Sequence, residues 1–235
     1  GKLKRVLVGG AACSRALFEA FAKRDILVQH NWGMTEMSPL GTAGTLNAEA
    51  SVLPAETQLE QRLKQGRVPM GVDMRIVNER QEPLPHDGRS PGLLQVRGHS
   101  IVDTYFAADR SALNADGFFD TGDVATIDAL GYMQITDRAK DIIKSGGEWI
   151  SSVDMENAAL THPGVELAAV IAIPHPKWDE RPLLLVKAKP GCAITEAELR
   201  SQLANQFAKW ELPDAILFVS NIPFGATGKI DKKLL

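Results

Sequence analysis

Four short stretches of the chain bring together residue types suited to handling a nucleotide. Trp32-Gly33-Met34-Thr35-Glu36 combines a flat aromatic face, a glycine, a hydroxyl and a carboxylate. Gly33 allows a ligand to approach the backbone closely, and Trp32 offers a surface on which a base can stack. The Thr35 hydroxyl can meet a phosphate oxygen, and Glu36 can hold a hard cation such as Mg²⁺ through oxygen. A capped turn uses the same residues, so this stretch alone does not decide. Phe119-Asp120-Thr121-Gly122-Asp123 lies among turn signals. An aspartate in such a loop can accept hydrogen bonds from ribose hydroxyls, although turns and helix caps also favour aspartate there. The densest polar cluster is Asp137-Arg138-Ala139-Lys140-Asp141-Ile142-Ile143-Lys144-Ser145-Gly146-Gly147-Glu148. Its mixed charges suit a hinge and its Ser145-Gly146-Gly147 a loop that lets a ligand come close; a solvated linker with weak ion pairs is the plainer alternative. Thr227-Gly228-Lys229, preceded by Gly225, invites a phosphate-loop reading and fails it. The glycine spacing is too short, Ile230 replaces the hydroxyl residue, and too little chain follows to form the helix. A lysine reaching a carboxylate or phosphate remains open, as does an ordinary surface lysine.

Other chemistries are poorly supported. His30, His86, His99, His162 and His175 have no ligand spacing with one another or with the cysteines, which argues against a zinc site. No serine sits in a Gly-x-Ser-x-Gly elbow. Cys13 follows a glycine turn near a helix start, where a thiol pKa can fall, yet a buried small hydrophobe is the better reading.

Three kinds of pattern must position these stretches. Residues 4–8 form an apolar run followed by Gly9-Gly10-Ala11-Ala12 and then a segment in which Leu17, Phe18 and Phe21 share one helical face, with Ser14 as N-cap. With a strand at 26–29 this makes a βαβ unit, whose ligand belongs outside the carboxyl ends of the strands. Residues 55–64 suit a short surface helix. From 66 to 136 short alternating strands, clearest at 72–77, 93–97 and 132–136, are separated by turn signals and predict a small antiparallel β subdomain. After Asp137 a helix runs from Ser151 through Leu160, strands follow at 168–173 and 183–188 around a turn-rich 174–182, and Thr195-Glu196-Ala197-Glu198 is a capping box. Leu199, Leu203, Phe207 and Trp210 continue down one helical face, and 216–219 closes with a strand. The tail from Ser151 therefore predicts α-β-β-α-β.

Composition narrows the function classes. The 235 residues are 44% hydrophobic and 23% charged with a formal net charge of −3, a globular chain with no cationic cluster for nucleic acid. Cys13 and Cys192 lie far apart, which suits a reduced, cytoplasmic protein. No apolar run approaches a membrane span and no signal peptide is legible. The chain opens on Gly1-Lys2-Leu3 and stops at Leu234-Leu235, as a fragment would.

Taken in order, Gly9-Gly10-Ala11-Ala12, Trp32-Gly33-Met34-Thr35-Glu36, Thr121-Gly122-Asp123, Asp137-Arg138-Ala139-Lys140-Asp141, Ser145-Gly146-Gly147-Glu148 and Gly228-Lys229 together resemble the adenylate-forming acyl-CoA synthetase family. The runs 135–152 and 175–182 look like its medium-chain fatty acyl-CoA and methylmercaptopropionyl-CoA ligase branch. The resemblance covers essentially the whole chain. It implies an α/β plus α+β fold: residues 1–136 as the remainder of a large AMP-binding domain (α/β over 1–66, β subdomain over 67–136) and 137–235 as a compact C-terminal α+β lid.

The resemblance also implies a two-step reaction in which a carboxylic acid attacks the α-phosphate of ATP and the thiol of CoA then displaces AMP, with ATP/AMP, Mg²⁺ and CoA as ligands. Gly10 and Ala11 would approach adenine or the acyl pocket, Trp32 would stack on adenine beside Gly33, and Thr35 would contact the AMP phosphate. Glu36 would help hold Mg²⁺. Asp123 and Arg138 would bind ribose, Lys140 would be the hinge, and Lys229 would orient the carboxylate and α-phosphate. Gly146, Gly147 and Trp149 would face the CoA arm after the lid swings. Trp32 stands where tyrosine is common, Asp120 where arginine is frequent, and Leu93 in place of the usual acid of a Gly-Glu-Leu motif. The family's Ser/Thr/Gly-rich loop with its lysine, which wraps the terminal phosphates, does not occur in these residues. Most of the acyl tunnel would also lie upstream. The expectation is a chain inactive alone in adenylation and able to dimerise through exposed surface. The rival expectation is a non-catalytic nucleotide- or CoA-binding or interaction module.

Overall fold

The computed structural model describes residues 2–10, 13–225 and 230–235. The chain divides into two units, Gly1–Ile135 and Thr136–Leu235.

The first unit begins with β1 (Arg5–Val8), α1 (Arg15–Ala22) and β2 (Leu27–Gly33), with β1 and β2 parallel and in register from Arg5↔Leu27 to Val8↔His30. Ser14 caps α1 by accepting from the Leu17 N–H, and Phe18 on its inner face packs with Cys13 and Val28. β3 (Leu40–Ala43) adds antiparallel to β2. α2 (Ala48–Ser51) and α3 (Ala55–Leu63) follow. A four-stranded sheet completes the unit in the order β4 (Val72–Val77), β5 (Gly92–Gly98), β6 (Phe119–Ile127), β7 (Met133–Arg138). The mixed α/β character and the opening βαβ unit are as the sequence predicts.

The four-stranded sheet also contains a surprise. Residues 119–123, expected in a loop, lie inside β6. Gln95 pairs with Asp120 and Leu93 with Val124, so Thr121, Gly122 and Asp123 stand opposite a single residue of β5. This is a bulge. Gly122 adopts φ 73° with open space around it, a conformation cheap only for glycine. A turn signal and a bulge use the same residue types, which is why the sequence reads one for the other.

The second unit holds β8 (Ile143–Ser145), β9 (Glu148–Ile150), α4 (Ser152–Leu160), β10 (Val165–His175), β11 (Asp179–Ala188), α5 (Glu196–Leu203) and β12 (Ala215–Phe218). β10 and β11 form a long antiparallel hairpin, and β12 runs parallel to β11. The β8–β9 hairpin is additional to the predicted α-β-β-α-β series. Ser145 pairs with Glu148 across Gly146 (φ 62°) and Gly147 (φ 90°), two left-handed residues that make the tight turn matching strand twist. The segment expected as a turn at 174–182 is mostly strand, and Pro174 is tolerated in β10 because that strand is at the sheet edge. Helix α5 ends at Leu203 rather than continuing to Trp210; its Thr195 capping box is as expected. One apolar core, including Ile143, Met155, Val170, Leu184 and Leu199, lies between this sheet and the two helices. Among the described residues, no helix is long and apolar enough to cross a membrane.

Candidate active site

In the first unit the end of β2 brings Trp32 to the sheet edge and the bulge of β6 brings Asp123 to meet it. The Trp32 Nε1–H donates to Asp123 Oδ2 at 2.9 Å. Both side chains are held on their own strands. A side chain at Gly41 would overlap the Trp32 ring, so the glycine on β3 is what lets the indole lie across the hairpin. The ring packs besides against the clusters around Ile76 and Met37. Asp123 is buried, 3% exposed, and its N–H donates to Thr121 Oγ1, whose hydroxyl in turn donates to the Leu94 carbonyl at 2.8 Å. An uncompensated carboxylate is costly away from water, so the indole donor offsets part of that cost.

Gly33 is required for a local reason: a Cβ there would overlap the Pro39 carbonyl oxygen. Its neighbours then turn sharply through a short 3₁₀ segment, Thr35–Met37, closed by Met37 N–H to the Met34 carbonyl and Ser38 N–H to the Thr35 carbonyl. Thr35 is exposed and Glu36 is half-buried. The Glu36 backbone carbonyl accepts from Val102 N–H at 2.7 Å, and its carboxylate accepts from the Tyr105 hydroxyl at 3.0 Å. Thr35, Glu36, His99, Thr104 and Tyr105 line an open cavity of about 300 Å³. Partial burial, together with the Glu36 carboxylate, pushes the Tyr105 phenol above its ordinary pKa. One carboxylate beside a hydroxyl is an oxygen donor set that fits Mg²⁺, which keeps waters and phosphate oxygens among its ligands. Among the described residues, no group of three or more His, Cys, Asp or Glu forms a metal cage.

Gly10 is exposed at the end of β1 with φ 77° and open space around it. Ala11 and Lys229 lie outside the described residues. Cys13 is buried and its thiol pKa is pushed up by that burial, as suits packing rather than a reactive thiolate.

In the second unit Arg138 ends β7 at an exposed position, and Lys140 follows, also exposed, in a turn closed by Asp141 and Ile142 N–H groups to the Arg138 carbonyl. Asp137 is buried, and its carboxylate accepts from Arg138 N–H and from Ser152 N–H at the start of α4. The Gly146-Gly147 turn borders a cavity of about 420 Å³ lined by Glu148, His175, Trp178, Arg181 and Trp210. Gly146 N–H donates to the Trp178 carbonyl at 2.8 Å, and a side chain at Gly146 would press on the Trp178 ring. Arg181 is fixed by Asp214 Oδ1 and Ser145 Oγ and by the Trp210 and Leu212 carbonyls. His175 Nδ1 accepts from the Lys177 and Trp178 N–H groups, which places its proton on Nε2. Trp149 is half-buried on β9, opposite Lys144.

Sequence reasoning brought out Trp32, Asp123, Thr35 and Glu36 but missed Tyr105, Trp178, Trp210 and Arg181. A signal existed. Tyr105 is one of two tyrosines and Trp178 and Trp210 are two of four tryptophans in a chain only 6% aromatic; Trp178 lies in a turn-rich segment where a core role is unexpected, whereas Trp210 is read as part of a helical face.

Residues 1–106 match the AMP-binding enzyme family, and residues 154–229 match the AMP-binding enzyme C-terminal domain. The chain is 50% identical over 234 residues to 3-methylmercaptopropionyl-CoA ligase of Ruegeria pomeroyi, covering 99% of this chain and 43% of the relative. It is 50% identical over 236 residues to a medium-chain-fatty-acid–CoA ligase of Ectopseudomonas oleovorans, with the same coverage on both sides. Among solved structures, ATP-bound MatB from Rhodopseudomonas palustris is similar at 27% identity and a TM-score of 0.78, over 97% of this chain and 44% of that one. The chain thus spans less than half the length of the relatives it matches.

Proposed function

We propose, on the premise that this chain belongs to the AMP-binding enzymes, that it carries the adenosine-, cation- and thiol-handling residues of an ATP-dependent carboxylate–CoA ligase. The acid is a medium-chain fatty acid or a small thioether acid, in keeping with the relatives at 50% identity. The observation that carries the reading is the hydrogen bond of Trp32 to buried Asp123, a few residues along the chain from the Thr35–Glu36 turn. It sets a flat ring and an acidic acceptor beside a hydroxyl and a carboxylate, the residue types that base, ribose, phosphate and cation require in that order.

In this reading the acid's carboxylate oxygen attacks the α-phosphorus of ATP, pyrophosphate leaves, and the acyl-adenylate is held on the same residues. Asp123 accepts from the ribose hydroxyls, joined by Arg138. The Thr35 hydroxyl donates to an α-phosphate oxygen, where charge develops in the transition state. A Mg²⁺ ion held by Glu36 supplies charge neutralisation on the phosphates when bound. Lys229 orients the two reacting groups. Lys140 is the hinge about which Thr136–Leu235 turns between the two half-reactions. Gly146 and Gly147 then guide the pantetheine arm. The neighbouring cavity, with Trp178 and Trp210 each nearly half exposed on its wall, takes the flat adenine of CoA. Thiol attack on the acyl carbonyl expels AMP.

The test replaces the matching segment of the Ruegeria pomeroyi ligase with this chain and measures acid-dependent ATP–pyrophosphate exchange and CoA thioester formation. The hybrid is expected to carry out both, to lose exchange with Lys229→Ala, and to lose thioester formation but keep exchange with Gly147→Val. The chain alone is expected to give no exchange. A hybrid that binds AMP but fails both half-reactions would favour a non-catalytic nucleotide-binding module.

A further inference from the structure

Glu36 is held from two directions by one loop. Its backbone carbonyl accepts from the Val102 N–H at 2.7 Å, and its carboxylate Oε1 accepts from the Tyr105 hydroxyl at 3.0 Å, across 69 residues of sequence. The loop is itself built to stay in place. Ile101 and Val102 pack against the cluster around Met37, the residue next to Glu36. Farther along, the Ala112 N–H donates to the Asp103 carbonyl at 2.7 Å and the Ser111 hydroxyl donates to Asp103 Oδ1 at 2.9 Å, which closes residues 103–112 on themselves. Inside that closed segment the Ala108 N–H donates to the Tyr105 carbonyl at 3.0 Å.

Tyr105 is therefore carried on ordered backbone, although the residue is 47% exposed. Packing alone is a weak reason for an aromatic residue there, and the hydroxyl supplies a better one. A glutamate carboxylate ends a chain of three rotatable bonds and loses much rotamer freedom when it is fixed. A cation that had to order it on arrival would bind more weakly for that reason. The Tyr105 hydroxyl fixes it beforehand, on the wall of the cavity that Thr35 also lines. A hydroxyl is neutral, so unlike an ammonium group it does not compete with a cation for the carboxylate charge.

We infer that Tyr105 is a positioning residue: its hydroxyl orients the Glu36 carboxylate for the divalent cation that accompanies the nucleotide phosphates. The inference rests on the reading of Glu36 as the cation ligand. Hydrogen-bond partners of metal-ligating carboxylates typically account for about 10–100-fold in metal affinity, which sets the size of the effect.

The probe is Mn²⁺, which takes the same oxygen ligands as Mg²⁺ and has an electron paramagnetic resonance signal that reports the free ion. It is titrated into the 235-residue chain in excess AMP. Four chains are compared: unsubstituted, Glu36→Gln, Tyr105→Phe, and Tyr105 replaced by 4-aminophenylalanine. The last restores a neutral donor at the ring tip, and an aromatic amine is a poor ligand for a hard cation. The unsubstituted chain is expected to bind Mn²⁺ and Glu36→Gln to lose that binding. Tyr105→Phe is expected to bind at least about tenfold more weakly, and the 4-aminophenylalanine chain to recover to within about threefold of the unsubstituted one. Undiminished binding in Tyr105→Phe, with Glu36→Gln still defective, would overturn the inference and leave Glu36 standing as the ligand. A 4-aminophenylalanine chain as weak as Tyr105→Phe would also overturn it, because donation to Glu36 would then not be what the hydroxyl supplies. Mn²⁺ binding unaffected by Glu36→Gln, or absent from the unsubstituted chain, would overturn the reading of Glu36 beneath it.

Discussion

The two units bury their apolar residues in different ways. In Thr136–Leu235, thirteen described buried residues belong to one continuous core gripped between a sheet and two helices. In Gly1–Ile135 the described core is divided into three clusters, around Ile76, Met37 and Phe18. The first two clusters share Trp32 and Met74 as partly buried neighbours, so a proposed nucleotide residue is also a seam between them. A single core makes stability cooperative and local damage global, whereas several small ones let one region loosen while the others persist. The difference teaches where each unit places its polar residues. The second keeps a charged guanidinium, Arg181, at the wall of a cavity and gives it four hydrogen-bond acceptors, while in the first a neutral donor reaches each of two carboxylates, Trp32 on Asp123 and Tyr105 on Glu36.

The severest way to break this contrast is Leu184→Ala, which empties the centre of the single core and is expected to cost about 2–5 kcal/mol. Urea unfolding followed by tryptophan fluorescence should show the transition of the second unit moving to lower denaturant while that of the first stays in place. A shift of both together would mean that the two units unfold as one. Next in size, Arg181→Met strands the Asp214 carboxylate and two carbonyls, with an expected loss of roughly 2–3 kcal/mol in the same measurement. Helix caps sharpen the comparison further down the scale. Thr195→Ala removes the hydroxyl half of the α5 capping box, leaving the Thr195 backbone N–H on Glu198, and Ser14→Ala removes the acceptor of α1; each is expected to cost about 1 kcal/mol, and each only in its own unit.

The smallest effect is in pH. Asp128 in the first unit is buried enough to raise its carboxyl, but the Lys64 hydrogen bond and the Tyr132 N–H outweigh that and hold its pKa below the ordinary value. Its stabilisation is therefore complete above the unfolded carboxylate pKa and is lost as pH falls through the lower folded value. Glu156 in the second unit goes the other way: burial lifts its carboxyl above the ordinary range despite Lys232 beside it. That contribution is present below the unfolded pKa and fades as pH rises through the raised one. The Asp128 and Glu156 contributions should thus slope in opposite senses with pH, and Asp128→Asn should remove its part from the first unit alone.

Much of this architecture is legible without coordinates because local signals agree with the fold. Ser14 with Leu17, Phe18 and Phe21 specifies a capped amphipathic helix, and Thr195 with Glu198 specifies another. What escapes is where one residue type serves two geometries. Thr121-Gly122-Asp123 suits a turn and a bulge equally. Ile143-Lys144-Ser145-Gly146-Gly147-Glu148-Trp149-Ile150 carries a tight-hairpin turn between apolar residues, yet its charged approach favours a linker reading. Of the site, Trp32, Thr35, Glu36 and Asp123 could be singled out by type, but their partners could not. Tyr105 is far from Glu36 in sequence and Trp178 far from Gly146, and nothing local encodes those meetings.

The bulge in β6 obeys a rule of parity. Between the Gln95↔Asp120 and Leu93↔Val124 pairs, β6 spends two more residues than β5 does. Because side chains alternate with a period of two, an even surplus leaves the strand in phase, so that Phe119 before the bulge and Ala125 beyond it both still face inward. An odd surplus keeps that phase only if one irregular residue absorbs it. Length changes at this point are therefore absorbed most simply in pairs, and the spacing between Thr121 and Ile127 is constrained in a way that no tabulation of residue types would reveal.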